Sequence, residues 1–141
     1  MAGRKDHIAR LAAVPMFSSF TKKDLTAISK AADEVTLPAG HVLIKEGTEG
    51  YEGFVVLEGT VTVSRKGKKL ATLGSGEVLG ELSLLESSLR SATVTCETEC
   101  TVLVMDRQRF KQLLLETPSL SITFLEELAG RLRSLDRTAF G

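Results

Sequence analysis

The chain has 141 residues, enough for one domain with a sizeable core. Its 18 lysines and arginines balance 18 aspartates and glutamates, so no net field draws it to nucleic acid or an acidic membrane surface, and DNA is not an expected partner. No run nears the roughly 18 apolar residues of a membrane span and the N-terminus lacks the apolar stretch of a signal peptide, which makes the cytoplasm the expected location. Taken in chain order, residues 5–13 show a helical pattern in Ile8, Leu11 and Ala12 that ends before Pro15, because the residue ahead of a proline resists helix. A second helix starts at Thr21, whose hydroxyl caps while Asp24 answers from the first turn, and runs through Leu25 and Ile28. From Val35 to Met105 the hydrophobic period becomes two. Val35 and Leu37, Val42 and Ile44, Phe54 to Leu57, Val61 and Val63, then Val94, Val102 and Val104 mark short strands broken by glycine-bearing turns. That many short strands predict a mainly β fold, an antiparallel jelly roll or barrel. After Asp106 the helical period returns: Phe110, Leu113 and Leu114 mark one helix, and Leu125, Leu128, Leu132 and Leu135 another after Pro118. The expected organisation is a single domain, 1–141, with a helical N-terminus (1–32), a β-roll (33–106) and two C-terminal helices (107–137).

Several residue types that often carry chemistry have ordinary readings here. Cys96 and Cys100 flank Glu-Thr-Glu, a turn or strand break; in one continuous strand they would lie about 13 Å apart at roughly 3.3 Å per residue, too far for a disulfide. With only His7 and His41 in addition, and no ligand spacing between them, no metal site is expected and the cysteines read as reduced thiols. His41 follows a Pro-Ala-Gly turn and reads as a strand-start residue. Arg65-Lys66-Gly67-Lys68-Lys69 sits at a strand-to-strand turn, where lysines stay solvated and glycine permits the reversal. Ser83 and Ser91 have no neighbouring histidine and no oxyanion motif, so neither reads as a nucleophile.

The stretch Leu79–Val94, LGELSLLESSLRSATV, is the most informative. Gly80 lets the backbone approach a ligand, and the first amides of a short helix expected over Glu81–Leu85 point unpaired N–H groups at an anion. Arg90, nine residues after Glu81, supplies the countercharge in a planar fork. Glu81 is misplaced beside a phosphate unless its carboxylate accepts hydrogen bonds from hydroxyls on the same ligand, as a ribose 2′-OH would offer. The pattern therefore points to a pocket for a sugar-linked phosphate. Hydrolysis of a cyclic phosphate calls for metal ions or a positioned base, and the ligands for a two-metal site are absent, so binding without turnover is the economical reading.

Leu79, Gly80, Glu81, Ser83 and Leu84, followed by Arg90, Ser91, Ala92 and Val94, resemble the phosphate-binding cassette of the cyclic-nucleotide-binding domain family, found in bacterial catabolite activators, protein kinase A regulatory subunits and cyclic-nucleotide-gated channels. An upstream signature agrees: Leu43-Ile44-x-x-Gly47-Thr48-x-Gly50, with Phe54-Val55-Val56 and Gly59 behind it, is similar to the family's glycine-punctuated hairpin. The resemblance covers residues 14–136. Two departures, Leu89 where proline is frequent and Gly53 at an apolar place, are expected to weaken local rigidity more than ligand chemistry. The resemblance implies a β-roll between helices and a non-catalytic regulatory module binding cyclic AMP, with cyclic GMP as the other ligand and no further cofactor. It implies that Arg90, the Ser91 hydroxyl and the amides near Gly80, Leu82 and Ala92 hold the phosphate, with Ser83 in the same cassette, and that Glu81 holds the ribose. It also implies that Val63, Leu70, Ala71, Leu73 and Leu79 line the base or sugar, and that Arg131 is a lid contact. Leu135 and Asp136 stand where bacterial activators carry adenine-reading hydroxyls, so the preference for cyclic AMP is expected to be modest. Partners implied are an effector protein and a second copy through the final helix; the chain stops at Gly141, so no helix-turn-helix is expected. The alternative is a jelly-roll interaction module or regulatory subunit that binds nucleotide weakly or not at all.

Overall fold

A computed structural model describes the backbone of residues 4–140 and the side chains of residues 7–134. The chain begins with α1 (Arg4–Ala12), a 3-10 turn (Pro15–Phe17) and α2 (Lys22–Ala31). α2 starts where its capping box does: Asp24 N–H donates to the Thr21 hydroxyl and Thr21 N–H to the Asp24 carboxylate, each at 3.1 Å. Eight strands follow: β1 (Asp33–Leu37), β2 (Val42–Ile44), β3 (Glu52–Glu58), β4 (Val61–Arg65), β5 (Lys68–Leu73), β6 (Val78–Leu79), β7 (Thr93–Cys96) and β8 (Cys100–Asp106). Two helices close the chain, α3 (Arg107–Glu116) and α4 (Pro118–Phe140).

The strands form two four-stranded antiparallel sheets, ordered β1-β8-β3-β6 and β2-β7-β4-β5, which is a jelly roll with helices at both ends of the sequence. Period-two alternation explains how one sheet serves two cores. In β3 and β8, Phe54, Val56, Cys100 and Val102 point to the second sheet and meet Ile44, Val61, Val94 and Cys96. Their neighbours Val55, Leu57, Leu103 and Met105 point the other way and meet the helices through Leu11, Phe17, Phe20, Phe110 and Phe124. With both faces covered, residues 53–57 are all buried, and β3 reads as a continuous apolar run rather than an alternating one. Among the described residues no helix is long and apolar enough to cross a membrane.

The Glu-Thr-Glu between the cysteines is the turn from β7 to β8; both thiols are free and buried at the two strand ends. The leucines of the final helix are unequally buried. Leu120, Phe124 and Leu128, four residues apart, pack on the helical core, whereas Leu125 and Leu132 are 63% and 67% exposed. At 100° per residue, Leu125 and Leu132 sit about 60° and 40° round from Leu128, at the outer edge of the docked face. The Leu135 side chain and that of Asp136 lie outside the described residues.

Candidate functional site

The site begins where β6 runs into a second 3-10 turn, Glu81–Leu84, tighter and shorter than the helix expected over Glu81–Leu85. Gly80 caps this turn at φ 67°, ψ 23°, in the left-handed region where a side chain costs about 1–2 kcal/mol. Its missing side chain also makes room: a Cβ there would stand 2.5 Å from Arg90 Nη1 and 3.1 Å from the Glu52 carbonyl. Arg90 lies across this gap. Its Nη1 donates to Ser83 Oγ and its Nη2 to the Glu52 carbonyl, both at 2.8 Å, and it makes no ion pair with a carboxylate among the described residues. Burial holds the guanidinium below its ordinary pKa; the Glu52 carboxylate pulls it back up and the nearby Arg107 pushes it further down. A guanidinium stays protonated under all ordinary conditions, so Arg90 is a partly desolvated cation whose two hydrogen-bond acceptors are neutral and on which the Glu52 carboxylate acts only through space. A cation so placed can bind an anion.

Two chain segments hold this arginine in place. The loop 47–50 runs alongside 88–90: Gly47 N–H donates to the Arg90 carbonyl at 2.8 Å, Arg90 N–H to the Thr48 carbonyl at 2.7 Å, and Gly50 N–H to the Ser88 carbonyl at 3.1 Å. Ser87 Oγ donates to the Glu49 carboxylate in the same seam, and this bond is the main reason Glu49 sits below the usual carboxylate pKa. Gly50 has no side chain because Arg90 occupies its place; a Cβ would collide with Ser83 Oγ and stand 2.5 Å from Arg90 Nε. The glycine signature upstream and the Arg-Ser-Ala signature downstream are therefore two walls of one structure. Gly53 has a similar explanation. A Cβ there would stand 2.8 Å from Leu84 Cδ1, so the departure at Gly53 is filled by Leu84 rather than leaving the strand loose. The other departure, Leu89, is 69% exposed and bridges to Glu49.

Two adjoining clefts, of about 250 and 300 Å³, share Gly80, Glu81, Arg90 and Ser91. Together they fall in the range of small-molecule pockets, roughly 300–1,000 Å³. The first is walled by Val63, Leu73, Leu79 and Ala92, which the sequence named, and by Ile44, Val78 and Val94, which it did not. The second is edged by Leu82 and Ser83. Ser83 is nearly buried and serves as the acceptor under Arg90. Ala71 and Leu70 do not line either cleft. Ala71 stands opposite Val63 in the β4–β5 ladder, and Leu70, half-exposed, is the unpaired residue of a bulge there. The basic turn is tied to the site at one point, where Arg65 Nε donates to the Ser91 carbonyl at 2.8 Å. Arg131 reaches the cassette from α4 by an ion pair with Glu81 at 2.9 Å. By contrast, the small apolar cavity of about 50 Å³ among Phe17, Phe20, Phe110 and Phe124 is a packing gap inside the core.

Sequence reasoning missed Arg107. Its Nε donates to the Ser83 carbonyl at 2.7 Å and its Nη2 to the carbonyls of Gly50 at 2.6 Å and Glu86 at 3.2 Å. One signal was available: a cation at the first position of a helix opposes the helix dipole, so it calls for an explanation elsewhere.

Comparison with known proteins bears on the family and the fold. The profile of the family described as "Cyclic nucleotide-binding domain" matches residues 34–117. A cGMP-dependent protein kinase of Drosophila melanogaster is 42% identical over 97 residues, 67% of this chain and 9% of the kinase. A CRP-like cAMP-activated global transcriptional regulator of Mycobacterium tuberculosis is 29% identical over 128 residues, 87% of this chain and 57% of the regulator. The chain thus spans between 9% and 57% of the length of these two relatives. Among solved structures, the N-terminal domain of a transcriptional regulator from Streptomyces coelicolor A3(2) superposes with a TM-score of 0.84 at 31% identity, covering 91% of this chain and 95% of that domain.

Proposed function

Since the chain belongs to the cyclic nucleotide-binding domain family, we propose that its cleft takes a cyclic nucleoside monophosphate, cyclic AMP in preference to cyclic GMP, and that the chain is a non-catalytic sensor. The observation that carries this reading is Arg90, a partly buried cation that makes no ion pair among the described residues and donates only to neutral acceptors, lining the cleft with Gly80 and Ser91. Arg90 and the amides around Glu81 and Ala92 receive the phosphate, and the apolar wall of Val63, Leu73 and Leu79 receives the sugar and base. Glu81 accepts from the ribose hydroxyl. Its ion pair with Arg131 puts α4 in direct competition or partnership with that hydroxyl, which is how occupancy reaches the C-terminal helices.

Ligand choice is the finer part of the proposal. One relative is named for cyclic GMP and another for cyclic AMP. Ser91 suits both ligands, and an apolar Leu135 offers no hydroxyl to reward adenine, so the preference for cyclic AMP is small, under about 3 kcal/mol for one missing contact. The proposed partner of the helix is a second copy of the chain. Ile122, Leu125, Ala129 and Leu132 are all exposed and spaced three, four and three, the pattern of a coiled-coil seam.

Titration calorimetry with cyclic AMP, cyclic GMP and 5′-AMP tests the reading. Saturable binding of both cyclic nucleotides, cyclic AMP ahead and 5′-AMP far behind, is expected. No heat and no thermal shift with any of the three refutes it, and tighter binding of cyclic GMP reverses the ligand choice alone.

A further inference from the structure

Ligand recognition as described uses Arg90 and leaves Arg107 unused. Arg107 is the first residue of α3, where the helix dipole presents its positive end and a cation is least favoured. Its compensation comes from three carbonyls in two segments distant from each other in the chain. The guanidinium donates to Gly50 O in the β2–β3 loop, to Ser83 O in the cassette turn and to Glu86 O just beyond it. The Arg107 backbone N–H donates to Tyr51 O at 2.8 Å, and the guanidinium carbon lies 5.7 Å from the centre of the Tyr51 ring. Gly50 and Ser83, with Gly80 and the Glu52 carbonyl, are packed directly against the Arg90 guanidinium. The distance between Gly50 and Ser83 decides whether that guanidinium fits, and Arg107 is the group bonded to both.

We propose that Arg107 is the positioning residue of the phosphate cassette: it sets the separation of the Gly50 loop from the Ser83–Glu86 turn, and as the first residue of α3 it passes any shift of that turn to the C-terminal helices. This rests on the proposed function for the identity of the ligand and on the geometry alone for the cassette. A planar fork is required for the task. Lysine, with a single ammonium, can serve one or two of these carbonyls and cannot span all of them.

The test uses the full chain as Arg107→Met and Arg107→Lys. Without ligand, amide exchange at Ser83, Leu85 and Glu86, which bond within the turn, becomes faster by roughly ten- to a hundred-fold in Arg107→Met, as loss of charge-assisted hydrogen bonds dictates. Amides of the β3–β8 ladder keep their rates. Titration with cyclic AMP gives a Kd raised by a similar factor, with Arg107→Lys recovering part of the loss. Saturating cyclic AMP changes exchange over 118–134 in the parent and not in Arg107→Met. Unchanged exchange at 83–86 overturns the inference whether or not the parent binds nucleotide, and so does a Kd within threefold of a binding parent. The same α4 response in parent and variant overturns the transfer to the helices. A parent that binds no nucleotide refutes the ligand reading, and the ligand-free exchange then judges Arg107 by itself. Should Arg107→Met fail to fold, Arg107→Lys is judged by the same exchange and Kd criteria.

Discussion

Replacing Arg90 by alanine separates the energetics of the fold from those of the site. In the free protein the guanidinium makes two hydrogen bonds to neutral acceptors, while burial opposes its charge, the Glu52 carboxylate favours it and the neighbouring Arg107 opposes it. Removing it forfeits those bonds, each worth about 1–2 kcal/mol net, but also removes the desolvation and the repulsion, so the stability loss stays near about 1 kcal/mol. For a domain of this size that lowers Tm by roughly 3–6 °C. In the proposed complex the same guanidinium would face a phosphate, and truncating one partner of a buried, hydrogen-bonded charge pair costs about 2–5 kcal/mol, or roughly thirty-fold to several-thousand-fold in affinity. Calorimetric titration with cyclic AMP, paired with a thermal scan of each variant, reads both quantities. Arg90→Ala is expected to stay folded and nearly lose binding. Arg90→Lys is expected to bind poorly too, because an ammonium cannot reproduce the bidentate fork. Binding of Arg90→Ala within about threefold of the parent refutes the assignment.

Gly80→Ala places a Cβ at φ 67° and 2.5 Å from Arg90 Nη1, so it is expected to cost about 1–2 kcal/mol of stability and at least about tenfold in cyclic AMP affinity; parent-like binding in the same titration contradicts the close approach. Leu125→Glu with Leu132→Glu puts charge on the exposed stripe of α4, and sedimentation equilibrium is expected to show weaker self-association than the parent while the thermal midpoint stays within a few degrees; equal association of both proteins rules out this seam. Burial, with the neighbouring Cys100 sulfur adding to it, pushes the Cys96 thiol up to about 11. Iodoacetamide at about pH 8 is therefore expected to leave the native protein unmodified and to label both cysteines in denaturant, and rapid native labelling disproves it. The unfolded chain gives up that proton first, near about pH 8.5, so the thiol's contribution to stability is complete below that value and is lost as pH rises toward 11.

How much was legible in the sequence depended on whether the deciding interaction was local. The capping box at Thr21 and Asp24 joins residues three apart, and the strand alternation and the glycine turns are likewise short-range, so short strands between helices followed from periodicity, which left a jelly roll or a barrel open; the β-roll was what the family resemblance implied. The cassette was legible for the same reason: Gly80, Glu81 and Arg90 lie within one short segment whose residue types state its chemistry. What the tertiary structure decided are contacts between distant segments. Loop 47–50 is the wall that fixes Arg90, Gly53 is the space that Leu84 fills, and Leu70 slips out of the ladder as a bulge residue; each depends on backbone register that no local pattern encodes. The split of the α4 leucines has the same origin, since a three-four-three spacing cannot say which side the roll will cover until Leu120 and Phe124 have docked. Arg107 is the extreme case. Its partners are backbone carbonyls 57 and 24 positions away, and carbonyls carry no side-chain identity for a sequence to display.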